Sequence, residues 1–195
     1  MRITMRHQIR IAITYTVVTT AIFGIAYPYA VTGVAQLLFH DKANGQLIRE
    51  GDTIVGSRII GQPFSGPLYF HSRPSAAGNG YDAANSGGSN LGPASKKLVD
   101  RVAASVATEQ PDNPNEAVPI DLVTASGSGL DPDITPAAAE FQVPRIARER
   151  HLTEAEVRQL VAKHTIDRQL GLLGERGVNV LELNRELDEA ASHAH

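Results

Sequence analysis

The sequence predicts one N-terminal transmembrane α-helix followed by a single exported α/β (α+β) domain with long ordered loops. Three observations carry this. Residues 11–39 read IAITYTVVTTAIFGIAYPYAVTGVAQLLF, without one charged or His residue in a chain that is 20% charged. The remaining residues, 40–195, mix short β-branched runs with helical periodicities, enough for one domain with a hydrophobic core. There are no cysteines, so neither disulfides nor a zinc–thiolate site stabilise it.

The apolar run is long enough to span a bilayer, since about 20 residues rising about 1.5 Å each cross the roughly 30 Å hydrocarbon layer. Its excess length must be absorbed by tilt, by a kink at Pro28, or by a last turn standing above the membrane. A signal peptide is the competing reading. The run exceeds the about 7–15 residues of a usual signal core and no small-residue cleavage site follows, so an uncleaved anchor is expected. Arg2, Arg6 and Arg10 precede the run, whereas His40 and Asp41 follow it. The positive-inside rule then puts residues 1–10 in the cytoplasm, 11–39 in the membrane, a soluble domain at 40–188 outside it, and a frayed tail at 189–195. Ala12, Thr16, Thr20 and Gly24 recur every fourth residue, a small-residue stripe that favours helix packing in membranes but also reflects ordinary membrane-helix composition.

Beyond the anchor, 15 basic residues face 21 acidic ones, which argues against nucleic acid as a partner. Residues 46–62 read as two short strands punctuated by Gly51, Gly56 and Gly61. The stretch 71–93 contains Tyr81 as its only large apolar side chain before Leu91, yet it is rich in Asn and Gly, the residues of tight turns. An ordered, irregular loop is therefore expected, whose donors Arg73, Ser75, Asn85, Ser86 and Asn90 suit a partner backbone or polar ligand.

A helix is expected at 94–109 with Leu98, Val102 and Val106 as its core face, then a Pro-rich linker and a buried strand at 120–124. Ser126, Gly127, Ser128 and Gly129 form a turn able to cradle an anion. Thr135 caps a helix opening on Pro136, and Pro144 begins a further turn or helix. Thr153 with Glu156 makes a capping box and Leu152 with Val157 a hydrophobic staple, so another helix starts there and runs to about His164. A glycine link through Gly171, Gly174 and Gly177 leads to Asn179, which caps a last helix with Glu182 in its first turn. His193 and His195 belong to the tail.

No phosphate loop, HExxH or Gly-x-Ser-x-Gly elbow is present. A hydrolase triad could be drawn from Ser126 or Ser128 with His71 or His151 and Asp131, and a membrane-anchored binding module is a second alternative. The Asp131–Asp133 pair lacks calcium-loop spacing, and no metal site is expected.

Three strings carry a resemblance: YFHSRPSAAGNGYDAANSGGSNLGP at 69–93, VPIDLVTASGSGLDPDITPAAAEFQVPR at 118–145 and HTIDRQLGLLGERGVNVLELN at 164–184. With the single N-terminal helix, they resemble the C subunit of the Kdp potassium-transporting P-type ATPases over nearly the whole chain. The resemblance implies a non-catalytic accessory subunit in the bacterial inner membrane, with a channel-like A subunit, an ATP-hydrolysing B subunit, a small F subunit and membrane lipid as its partners. ATP and K+ are then handled by the complex, with no cofactor of this chain's own. The chain lacks the DKTGT loop of a phosphorylated subunit and any TVGYG-like filter. The resemblance also implies a catalytic chaperone that raises ATP affinity of the B subunit. Ser126–Gly129 with Gln142 bears a faint likeness to an ATPase signature and is the candidate nucleotide or anion contact, although Gln142 is not adjacent to the glycines.

Overall fold

The computed structural model describes residues 4–192. Two compact units emerge, one up to Leu47 and one from Ile48 onward.

The first unit is a single helical rod over Met5–Leu38, long and apolar enough to cross a membrane. It comprises α1 (Met5–Thr19), a π-helical turn (Thr20–Ala26) and α2 (Tyr27–Leu38). Helix begins six residues before the apolar run, because lipid excludes Arg6 and Arg10 but backbone hydrogen bonding does not. Pro28 has no N–H and its ring crowds the carbonyl four residues back. The helix answers upstream, where the Tyr27 N–H donates to Ile22 O, an i→i−5 bond, instead of breaking. Phe39 leaves helical geometry at φ −137° and ψ 44°, and one further turn, α3 (His40–Ala43), follows.

The second unit opens with a hairpin of β1 (Leu47–Glu50) and β2 (Thr53–Ser57). The second strand stops at Ser57, so Ile59 and Ile60 lie outside it, exposed to solvent at 51% and 37%. Residues 71–93 are irregular, as expected, with one 3-10 turn at Ala83–Asn85. The next helix is α4 (Lys96–Glu109), and its Leu98, Val102 and Val106 are only half-buried.

Two expectations fail here. Residues 120–124 do not form a strand: Ile120–Leu122 is a 3-10 turn, tied by the Thr124 hydroxyl donating to Ile120 O at 2.7 Å. Asp121 explains this, because its carboxylate accepts the Thr135 N–H at 2.7 Å and holds the segment across the start of α5 (Pro136–Arg150) instead of in a ladder. Pro144 starts no new element; it lies inside α5. The proline forfeits one backbone bond, but Val143 and Ile146 on either side are fully buried, and their packing outweighs that loss.

After α5 come α6 (Glu154–Lys163), β4 (Thr165–Ile166), β5 (Gly177–Asn179) and α7 (Val180–Ser192). With β3 (Asp133–Ile134) they build an antiparallel sheet in the order β3-β5-β4, registered by Ile134↔Val178 and Thr165↔Val178. The glycine link is therefore a hairpin between two strands. Both helix starts form as the sequence predicts: Thr135 Oγ1 accepts the Ala138 N–H at 3.2 Å, and the Thr153–Glu156 capping box is complete. Asn179 Oδ1 likewise accepts the Glu182 N–H at 3.1 Å. Helix α7 includes residues 189–192 of the expected tail, while His193 and His195, like Arg2, lie outside the described residues. The core gathers Phe141, Val143 and Ile146 of α5, Val157 of α6, and Leu183 and Leu187 of α7 around Phe70 and the sheet.

Candidate functional site

Phe70 sits in the core, 0% exposed, on a segment that belongs to no strand. Side chains supply the missing ladder. Asn184 accepts the Phe70 N–H at 2.8 Å and donates back to Phe70 O at 2.9 Å. One residue on, Gln142 accepts the His71 N–H at 2.7 Å and donates to His71 O at 3.2 Å. Arg145 donates to the carbonyls of Pro67 and Tyr69 at 2.6 and 2.9 Å, and Arg150 to that of Leu68 at 2.7 Å. A buried backbone group without a partner costs about 1–3 kcal/mol, so these polar residues are structural necessities of the core.

This clamp launches the two polar loops, which pack on each other to form one platform. Ser75 is the hub: its hydroxyl donates to Gly129 O at 2.5 Å and accepts the N–H groups of Ala77 and Tyr81 at 3.2 and 2.7 Å. Arg73 reaches Asp131 at 2.9 Å. Ser128 O accepts both the Ser86 hydroxyl at 3.0 Å and the Gly87 N–H at 2.8 Å. Gly129 has φ 67°, and a Cβ there would stand 2.6 Å from Ala77 N, so only glycine admits this approach. The Tyr81 hydroxyl donates to Arg73 O, and burial pushes its ionisation upward, against the effect of Ser72 and with that of Asp131. At the exposed end, the Asn85 amide and the Ala84 N–H hold the Asp82 carboxyl below its ordinary value.

Of the expected partner-facing residues, Arg73 and Ser75 are thus consumed in holding the loops together. Asn85, Ser86 and Asn90 stand exposed, as do Gly127 and Ser128. One of the turn's amides is engaged within it, since Ser126 Oγ accepts the Gly129 N–H at 2.9 Å, and Ser128 Oγ accepts the N–H of the following Leu130 at 3.1 Å. Gln142, 0% exposed, is fully committed to His71, Ala138 and Arg145. Ala12, Thr16, Thr20 and Gly24 are all exposed on the long apolar helix, with Thr20 and Gly24 inside the π-helical turn.

The hydrolase alternative finds no support. Asp131 is paired with Arg73, the His71 Nε2–H donates to Gly66 O at 2.9 Å, and His151 is an exposed left-handed C-cap of α5. His71 does converge with Glu109 and Asp112 within 4.8 Å, a cluster that the sequence leaves scattered. The Arg145 guanidinium, 4% exposed, already balances it by pairing with Asp112 at 2.5 Å. Asp133 is pushed up by burial and by the charges of Asp131 and Glu182, with the Asn179 amide opposing.

Asn184 and Arg145 are the residues that sequence reasoning passed over. The signal was a polar side chain at a core position of an apolar stripe: Asn184 follows Val180 by four residues, and Arg145 adjoins the buried Ile146.

Comparison with known proteins gives a consistent result. The family model for KdpC, described as "K+-transporting ATPase, c chain", matches residues 9–189. The Potassium-transporting ATPase KdpC subunit of Koribacter versatilis is 59% identical over 184 residues, covering 94% of this chain and 95% of that protein. The subunit of the same name from Acidobacterium capsulatum is 55% identical over 94% of this chain and 98% of its own, and that of Bradyrhizobium diazoefficiens 52% over 96% and 100%. With a matched segment that takes in most of the long apolar helix, the clamp and the loop platform alike, the chain belongs to the K+-transporting ATPase C-chain family.

Proposed function

We propose that, within the potassium-transporting ATPase of which this family is an accessory subunit, the chain crosses the inner membrane once, N-terminus in the cytoplasm and domain outside. The membrane helix packs beside the channel-like A subunit, the ATP-hydrolysing B subunit and the small F subunit. Outside, the loop platform docks on the complex and caps the external mouth of the ion path.

The observation that carries this reading is the platform itself. Two loops with almost no large apolar side chains are fixed by hydrogen bonds to each other, and the polar residues they expose, Asn85, Ser86, Asn90 and Ser128, form no catalytic set. Such a surface recognises shape and polar pattern. ATP and K+ stay with the other subunits, and any effect on ATP affinity passes through the assembly, because Gln142 is buried and its amide is committed to His71, Ala138 and Arg145. The orientation follows from Arg6 and Arg10 at the start of the helix.

Since the chain has no cysteine, Ser86→Cys and, separately, Thr4→Cys can be read against a silent background with a membrane-impermeant thiol reagent. Labelling of position 86 in intact spheroplasts, and of position 4 only after permeabilisation, is expected. Labelling of position 86 from the cytoplasmic side alone overturns the capping role.

A further inference from the structure

Between β4 and β5 the chain folds back through a turn closed on both sides: the Gln169 N–H donates to Leu173 O, and the Leu173 N–H to Gln169 O, each at 2.9 Å. Leu170 and Gly171 take φ of 55° and 73°, the left-handed geometry of a tight reversal. Two ion pairs lace the arms below it, Arg168 to Glu175 at 2.8 Å and Arg176 to Asp167 at 2.9 Å. This fixed turn holds its apolar side chains outward: Leu170 is 91% exposed, Leu172 82% and Leu173 59%.

Loop tips ordinarily carry small or polar residues. Three leucines within four positions contribute nothing to a core that Leu183, Leu187 and Val178 already close. The composition distinguishes among possible occupants. A lipid surface would call for aromatic anchors and an excess of Lys and Arg, but residues 165–177 contain no aromatic side chain, and their two acids are matched by two arginines. A second copy is the other protein occupant, and the crosslink below distinguishes it. An apolar centre with a charge-neutral polar rim is the anatomy of a protein–protein contact, and the family is one of ATPase subunits.

We propose that the leucine tip inserts into an apolar recess on another subunit of the ATPase, with the two ion pairs as its rim. This rests on the reading that the domain docks on the complex and adds a second anchorage, separate in sequence from the loop platform.

The test uses the full chain co-expressed with the rest of the pump. A photo-crosslinking residue at position 170 should form an adduct with another ATPase subunit; an adduct with lipid, with a second copy, or none at all overturns the proposal. In parallel, Leu170→Asp with Leu172→Asp should lower co-purification of the other subunits on the order of tenfold. Helical signal and melting temperature in detergent should stay unchanged, because neither side chain is buried. Ser86→Arg with Asn90→Arg separates the two ideas. Loss in the leucine pair alone refutes docking through the platform, loss in the platform pair alone refutes docking through the tip, and loss in neither refutes both.

Discussion

Asn184 shows how one residue substitutes for a strand. Its amide, 1% exposed, exchanges both hydrogen bonds with the backbone of Phe70, so truncation leaves a donor and an acceptor orphaned beside the most buried aromatic ring of the domain. Asn184→Ala is expected to cost about 2–4 kcal/mol, read as a lower urea midpoint for the detergent-solubilised chain. Asn184→Asp keeps the acceptor but loses the donor and buries a charge, and should be no better. That an Asn occupied a core position was legible in the spacing from Val180. Its partner lies 114 residues earlier, and no local pattern records such a distance.

Among the elements, α6 is the one whose start could be read letter by letter, because a capping box is wholly local. Thr153→Ala should cost about 1 kcal/mol of stability by the same denaturation assay. The Thr153 backbone amide and then its hydroxyl hold the Glu156 carboxyl below its ordinary value. A depressed folded-state value means that the contribution is fully present above the unfolded carboxylate range and is lost as pH falls through the folded value. Melting temperatures followed through the acidic range should therefore fall more steeply for the parent than for Glu156→Gln. The long apolar helix makes a different prediction. A Cβ at Gly24 would meet only Thr20 Cγ2, at an ordinary 3.6 Å, so the helix itself tolerates a side chain there. Gly24→Leu should insert normally yet reduce co-purification of the other subunits, and unchanged co-purification would remove the small-residue stripe from consideration as the seam. Elements whose fate depended on distant partners were misread: the 120–124 segment looked like a strand until Asp121 was drawn to Thr135, and Pro144 looked like a boundary until burial on both flanks held α5 together.

For the molecule as a whole, the distribution of the core makes a prediction of its own. Every buried residue of the hydrophobic cluster lies between Phe70 and Leu187, and the second compact unit begins at Ile48. A fragment from residue 48 onward should fold and unfold cooperatively in water, without detergent, while failing to join the complex; an unstructured fragment would show that the helix is needed for folding itself. By itself the sequence determined the long apolar N-terminal helix, the helix caps, the order of the two polar loops and the family, because each of these is written in contiguous residues: apolar length, capping spacing, turn-forming Asn and Gly, and long matching strings. Only the tertiary structure decided that Arg73 and Ser75 hold the platform together while Asn85, Ser86 and Asn90 face outward, that Gln142 and Asn184 replace a strand, and that a glycine link presents three leucines. Those outcomes depend on which backbone groups are left unpaired once the core has closed, and that is a property of the folded chain, not of any window along it.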